Sequence, residues 1–596
     1  MILRRNGFCR TVVLVASALA LGWTHASLAA DQPAGVRGLE FEPLEPPDPA
    51  AAAPAAGPQP APAPSALQIP EVPADYAREQ ALAQVYIRRV EVLGNTVLPA
   101  AALATIVSGY EQRELSFEQL EALRLELTRA YTEAGYVNSG VLLPDQDVTD
   151  GVLTLQVVEG RLQALAVSGN EYLRESYIEK RLLPAGDQPF NVRDLETSLR
   201  LMQQWPLVAQ VNAEVLPGPT RGAGIVDLRM RENPPRTLSL TYDNHRSPSV
   251  GEHEGVVSLV NRSVSGNADY LYGSYGYADG LNDYSLGYGL PLTARDLTVE
   301  AYFSQGNSDI VEQPFAALDI VSETRTWGAK LFRPVIRELS HALSLGLTLE
   351  HSRTTSTLAG EPFSFSAGDQ NGGSKVTALR LVGDWTWRGE SDAVVVRGTV
   401  SRGLDWFDAT DNSGCPSLPL PPGTSCPWNL PESDFVSALF QAEYAHRLPV
   451  AGLQVLVRGT GQLASDPLLS AEKFVVGGAG TVRGYRENLL VRDEGFVARL
   501  ELRAPVLPGE LGQSRIGLLL VPFVDYGLVA DKAIDWPGLD DPETDHITSV
   551  GAGLLWNYWS WLYAELYYGR ALNDVDPGDS LQEDGVHGLV SLRWNF

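Results

Sequence analysis

From residue 236 to the last residue, 596, apolar and polar residues alternate one by one in short runs, with almost no recurrence at helical spacing. The stretch "ARLELR" sets Ala498, Leu500 and Leu502 against Arg499, Glu501 and Arg503. "LYAELYYG" sets Leu562, Ala564, Leu566 and Tyr568 against Tyr563, Glu565, Tyr567 and Gly569. A period of two places successive side chains on opposite faces of a strand. Alternation with an apolar outer face over ~10 residues predicts the strands of a transmembrane β-barrel, here about sixteen, an even number as bacterial barrels require. A soluble sandwich would also alternate, but its turns would not differ in length from one end to the other. Here they do: with the first strand rising from the periplasm, "RGESDA" and "RLPVAG" are short turns on one side, while residues 408–432, 465–495 and 530–545 form long loops on the other.

Ahead of residue 234 the period changes. In "IRRVEVLGN", Val90 and Val92 alternate with Arg89 and Glu91 before a Gly94-Asn95 turn. Ser116 and Gln119 then fit a capping box, Leu120, Leu123, Leu127 and Tyr131 recur at helical spacing, and Gly135 stops the helix. "GVLTLQVVEG" closes this module with Leu153, Leu155 and Val157 on one face. The order repeats in the next module. "LAVSGN" echoes "VEVLGN", Asn191 caps a helix carrying Leu195, Leu199 and Met202, and "IVDLRM" ends with Val226, Leu228 and Met230 on one side. Two small α+β repeats in tandem are expected, at residues 75–160 and 161–233, ahead of a barrel at 234–596.

Length and composition change the picture in three ways. A chain of 596 residues exceeds what one core fills, which agrees with several domains. Its net charge of −28 and pI near 4.7 exclude nucleic acid as a partner, because displacing counterions from phosphate needs a basic face. The first residues address the chain elsewhere: Arg4, Arg5 and Arg10 precede the apolar run from Thr11 to Gly22, and Ser27-Leu28-Ala29 offers small residues for cleavage, so residues 1–29 read as a secretory signal peptide. Residues 30–74 then hold a short N-terminal segment and a Pro-rich linker that packs no core. Cys9 leaves with the signal. Cys415 and Cys426 flank a short Pro-, Ser- and Gly-rich stretch; in an oxidising compartment they are expected to form a disulfide, the alternative being two free thiols.

One stretch carries candidate chemistry: "FVVGGAGTVRGYREN", residues 474–488. Its glycines invite a phosphate-binding reading, which fails because the third glycine of G-x-G-x-x-G is missing and no amphipathic helix follows to hold an anion at its N-terminus. No H-E-x-x-H, Walker A or G-x-S-x-G sequence is present, the cysteines are too few for a metal cluster, and the histidines read as turn or surface groups, so neither an enzyme nor a cofactor or metal is expected.

Signal peptide, Pro-rich linker, two α+β repeats, a barrel, "VRGY" at Val482, Arg483, Gly484 and Tyr485, "PFVDYG" and the closing "GLVSLRWNF" together resemble the TpsB transporters of two-partner secretion, in the superfamily of the barrel-assembly protein BamA. The resemblance spans nearly all of the chain after the signal. It implies that the repeats are periplasmic POTRA domains of an outer-membrane protein and that the VRGY loop folds back into the barrel lumen. A guanidinium there needs a carboxylate, and Asp525 is the candidate, because Phe523, Asp525 and Gly527 share the lumenal face of their strand while Val524 and Tyr526 face lipid. Trp594 and Phe596 would carry the signal read by the barrel-assembly machinery. The implied function is export of a large secreted TpsA-type partner, an adhesin or haemolysin-like protein, through the outer membrane and in contact with its lipid. A BamA-like assembly factor, for which five repeats are more usual, and a passive porin, which needs none, are the alternatives. A plug helix is not expected, since Pro33, Gly35 and Gly38 interrupt residues 30–41.

Overall fold

The computed structural model describes residues 84–148, 150–183, 188–413, 429–507, 516–534, 544–559, 561–573 and 580–596. The signal, the linker, the plug-helix question at residues 30–41 and the Cys415–Cys426 pairing lie outside the described residues. The chain divides into a unit ending at Asn233 and one running from Pro234 to Phe596.

In the first unit the first repeat comprises β1 (Gln84–Ile87), β2 (Arg89–Leu93), α1 (Ala100–Ser108), β3 (Arg113–Ser116), α2 (Phe117–Glu133), β4 (Gly140–Leu142) and β5 (Val152–Val158). β2 runs parallel to β5 and β4 antiparallel to it. Leu120, Leu123, Leu127 and Tyr131 of α2 pack on Leu153, Leu155 and Val157, the faces expected from periodicity. Both halves of the capping box are formed, Ser116 accepting from the Gln119 amide and Gln119 from the Ser116 amide. Losing such a cap costs ~1 kcal/mol. Ser116→Ala is therefore expected to speed amide hydrogen exchange through α2 about fivefold in the whole protein, and unchanged protection there would contradict the assignment.

The second repeat comprises β6 (Arg161–Ser168), α3 (Glu175–Leu182), α4 (Val192–Met202), β7 (Val208–Pro217) and β8 (Ala223–Glu232), with β6 parallel and β7 antiparallel to β8. The Asn191 side chain caps α4 by accepting from the Arg193 amide. One device recurs in both repeats. Gly94 and Gly169 turn the chain at positive φ beneath a backbone carbonyl that leaves no room for a Cβ. The asparagine that follows each then bonds the backbone three residues on. A glutamate at the end of the module, Glu159 or Glu232, accepts the amides of that turn. The echo of "VLGN" in "VSGN" is thus an echo of structure.

The second unit is a closed antiparallel barrel of sixteen long strands. They are β9 (Arg236–Asp243), β10 (Glu254–Asn261), β11 (Tyr270–Ala278), β12 (Leu281–Pro291), β13 (Thr298–Asp309), β14 (Ile320–Arg337), β15 (His341–Leu358), β17 (Gly373–Arg388), β18 (Asp392–Gly403), β19 (Val436–Arg447), β20 (Gln454–Ala464), β23 (Glu494–Leu507), β24 (Ile516–Ala530), β25 (Thr544–Tyr558), β26 (Leu562–Ala571) and β27 (Val586–Asn595). β16 (Glu361–Pro362) is a two-residue addition to β15, and β21 (Phe474–Val476) pairs with β22 (Leu490–Arg492) inside the loop between β20 and β23. β27 pairs with β9 and closes the wall, and Arg236 and Phe596 exchange backbone hydrogen bonds. Closure leaves no strand edge unpaired, as a bilayer demands. Leu500, Val524, Tyr526, Leu566, Tyr568, Val590, Trp594 and Phe596 face outward, while Glu501, Phe523, Asp525 and Tyr567 are buried within.

The loop-length rule has one exception. β11 and β12 are joined on the long-loop side by residues 279–280 alone, because the loop after β9 folds over that turn: the Gly280 amide donates to Val250 O, and Val250 packs on Ala278 and Leu281.

Candidate functional site

The loop between β20 and β23, residues 465–493, folds into the barrel, where residues 474–478 and 482–485 are buried. Phe474, Val475 and Val476 of β21 form an apolar core with Val482 and Tyr485, resting on Val497, Val529 and Ile547 of the wall. Gly527 makes room for this core, since a Cβ there would lie 2.5 Å from Val476 and 3.0 Å from Val482.

Arg483 is fully buried. Its Nε donates to Asp525 Oδ2 at 2.7 Å and its Nη2 to Asp525 Oδ1 at 2.8 Å, a bidentate fork, while its backbone amide also donates to Oδ2 at 3.1 Å. The remaining arm, Nη1, donates to Glu501 Oε1 at 2.8 Å. The guanidinium plane lies 3.6 Å over the Phe523 ring and 4.7 Å from that of Tyr567. A buried cation is tolerated where its donors are matched and its face meets an aromatic ring. Around this centre Arg503 reaches Glu501 at 3.2 Å, and Arg499 lies 3.6 Å from Glu501 and 3.8 Å from Asp525 while donating to the Gly480 carbonyl of the loop.

Other wall elements hold the same tetrapeptide. Gly484 takes φ +92°, and a Cβ on it would lie 2.8 Å from the backbone of Gly569 in β26, so the loop touches the wall with bare backbone on both sides. The Tyr485 hydroxyl donates to Thr548 O at 2.8 Å. Arg486 forks onto Glu312, at 3.0 and 2.8 Å, in the loop after β13, and this bond holds the Glu312 carboxyl below its ordinary range. On the far side of the loop Glu472 takes a second fork, from Arg380 of β17 at 2.9 and 2.7 Å, and Arg380 also meets Glu350.

The structure thus brings Val482, Arg483, Gly484, Tyr485, Phe523, Asp525 and Gly527 into one cluster. Trp594 and Phe596 lie apart, outward on the last strand. Sequence reasoning placed Glu501 and Tyr567 on the faces of their strands opposed to the apolar ones but gave neither a role, and missed Arg380, Glu472 and the Arg486–Glu312 pair. The expectation that histidines sit at turns or on the surface is corrected for His587. It is buried in the barrel, beside the Gly484 amide at 3.4 Å, because β27 passes under the loop.

The family described as haemolysin secretion/activation protein ShlB/FhaC/HecB matches residues 222–554, more than half of the chain, and the POTRA domain of ShlB type matches residues 85–160. The chain belongs to the haemolysin secretion/activation family. Outer membrane transporter CdiB of Dickeya dadantii is 24% identical over 426 residues, covering 70% of this chain and 72% of that protein. Hemolysin transporter protein ShlB of Serratia marcescens is 22% identical over 440 residues, covering 71% and 73%. Among solved structures, CdiB from Escherichia coli aligns over 86% of this chain and 91% of its own with a TM-score of 0.63 and 22% identity, a likeness of fold. This family member is an outer-membrane transporter, crossing the bilayer with strands.

Proposed function

We propose that this transporter exports one large secreted partner, an adhesin or haemolysin-like protein, through its barrel, and that the Arg483 cluster is the latch that seats the loop in the lumen, a seating that closes the pore between substrates and from which export must start. The observation that carries the reading is a loop bound inside the barrel by side-chain forks and aromatic faces rather than by a strand ladder with the wall. Such contacts exchange for water one by one, so the loop is releasable while the wall stays intact. The unfolded partner is first caught by strand addition, which uses main-chain hydrogen bonds and tolerates sequence. In both repeats the three-stranded sheet has outer strands, β2 and β4 in one and β6 and β7 in the other, with one side unpaired by the rest of the sheet. The sequence carries no Walker A motif, so folding of the partner outside supplies net direction.

Removal of residues 86–232 tests the order of events. The barrel is expected to reach the outer membrane and to leave the partner in the periplasm. Normal secretion without the repeats would favour a passive pore, and loss of other outer-membrane proteins with no effect on secretion would favour an assembly factor.

A further inference from the structure

On the outside of the barrel, the apolar faces of three neighbouring strands stop at one level. β17 presents Trp387, Trp385, Leu381 and Leu379 outward, β15 presents Leu343, Leu345, Leu347 and Leu349, and β14 presents Leu331, Ala329 and Trp327. From Trp385 to Thr377, eight residues at a rise of ~3.3 Å and a tilt of ~40° cover roughly 20 Å of membrane depth, close to the apolar band of such barrels. One step further toward the long-loop side, each strand carries a cation. Arg325 stands directly opposite Arg353, and Arg353 directly opposite Lys375. Like charges directly opposite on one face of a sheet repel, and here two such pairs sit side by side in a chain of net charge −28.

The carboxylates at hand match two of the three cations and leave the middle one. Glu323 meets Arg325 and Asp408 meets Lys375 at 3.0 Å, and Arg353 between them forms no ion pair among the described residues. Just below, the start of the loop after β18 is folded down over the outer wall. Thr377 donates to Trp406 O at 2.7 Å, and Phe407 packs its ring against Trp327 and His351, at centroid distances of 5.0 and 5.8 Å. Phe407 and Asp408 take consecutive positive φ values of 59° and 63°, a left-handed backbone that side chains disfavour and that the wall contacts hold in place. Trp406 and Phe407 remain half exposed on the lipid side.

We propose that this row, Arg325, Arg353 and Lys375, binds the phosphorylated sugar headgroup of an outer-leaflet glycolipid, whose acyl chains lie along Trp327 and Phe407. The level fits, since the cations begin where the apolar face ends, and the charge fits, since an anionic phosphate relieves both like-charge pairs. The proposal rests on the outer-membrane placement of the barrel and not on what the pore exports, so the two fail independently.

The test titrates the full-length protein in nonionic detergent with bisphosphorylated lipid A and, in parallel, with the dephosphorylated lipid, reading bound lipid by native mass spectrometry. The bisphosphate is expected to bind about tenfold more tightly, and Arg353→Ser and Lys375→Ser each to weaken it about fivefold, the scale of one cation near a lipid surface. Arg333→Ser, which removes an exposed outward cation lower on β14, opposite Leu345 and away from the row, is expected to leave binding unchanged. Equal affinity for the two lipids would overturn the proposal and leave the row to an acidic protein partner. Equal losses from Arg333→Ser and Arg353→Ser would overturn it too, by reducing it to unspecific charge attraction.

Discussion

Replacing Arg483 with alanine is expected to slow export about a hundredfold while leaving the barrel assembled. The change strands two carboxylates, Asp525 and Glu501, that are both buried and both matched by the guanidinium. Breaking one partner out of a buried pair commonly costs ~3 to 5 kcal/mol. The lower end applies, because Arg499 and Arg503 already stand within 4 Å of those acids and take up part of the charge. About 3 kcal/mol is roughly a hundredfold in the ratio of docked to released loop. The closed ladder from β9 to β27 does not depend on the contact, so heat-modifiable migration and the amount of barrel in the outer membrane are expected to match wild type. Near-normal secretion by a correctly inserted Arg483→Ala protein would contradict the latch.

Gly484→Val is expected to do equal or greater harm by a different route. The residue holds φ +92°, a region that costs a residue with a Cβ ~1 to 2 kcal/mol. The added Cβ would also press on the Gly569 backbone at 2.8 Å, and β26 has no freedom to retreat without breaking its ladders to β25 and β27. Overpacking of this kind adds ~1 to 3 kcal/mol. The seated loop is lost, and single-channel recordings in planar bilayers are expected to show a larger, noisier conductance together with absent secretion. Gly569→Val reaches the same contact from the wall and is expected to share the phenotype. Gly480→Ala, in the same loop, meets nothing within 4 Å and is expected to be silent. If Gly484→Val and Gly480→Ala behaved alike, the close seating of the loop on β26 would be refuted.

How far the molecule was legible from its residues depended on the range of the signal. Strand faces were readable because alternation is local: Leu500 against Glu501, or Val524 against Asp525, needs no knowledge of a neighbour. Helices with side-chain caps were readable too, as Ser116 and Asn191 mark the starts of α2 and α4. α1 and α3 were missed because Pro99 and Arg174 precede them and no side chain caps either one. Asp525 could be nominated from the lumenal face of a single motif. Glu501 could not, because its closeness to Arg483 follows from the register that sets Glu501 opposite Phe523 and Arg499 opposite Asp525, and register is a property of two strands. The Arg486–Glu312 fork joins residues far apart in the chain through two loops, and nothing near either residue announces the other. The basic row on the outer wall is of the same kind, three cations on three strands that only pairing lines up.

The fork between Arg483 and Asp525 is the centre of the account, and a double-mutant cycle on the rate of partner export tests it most directly. Arg483→Ala, Asp525→Ala and the double variant are compared with wild type at equal amounts of inserted barrel. If the two residues act through one another, removing the second after the first costs little. The double variant is then predicted to export no worse than the weaker single variant, giving a coupling energy of ~1 to 3 kcal/mol. Strictly additive losses would mean that the two side chains act independently, and would contradict the latch.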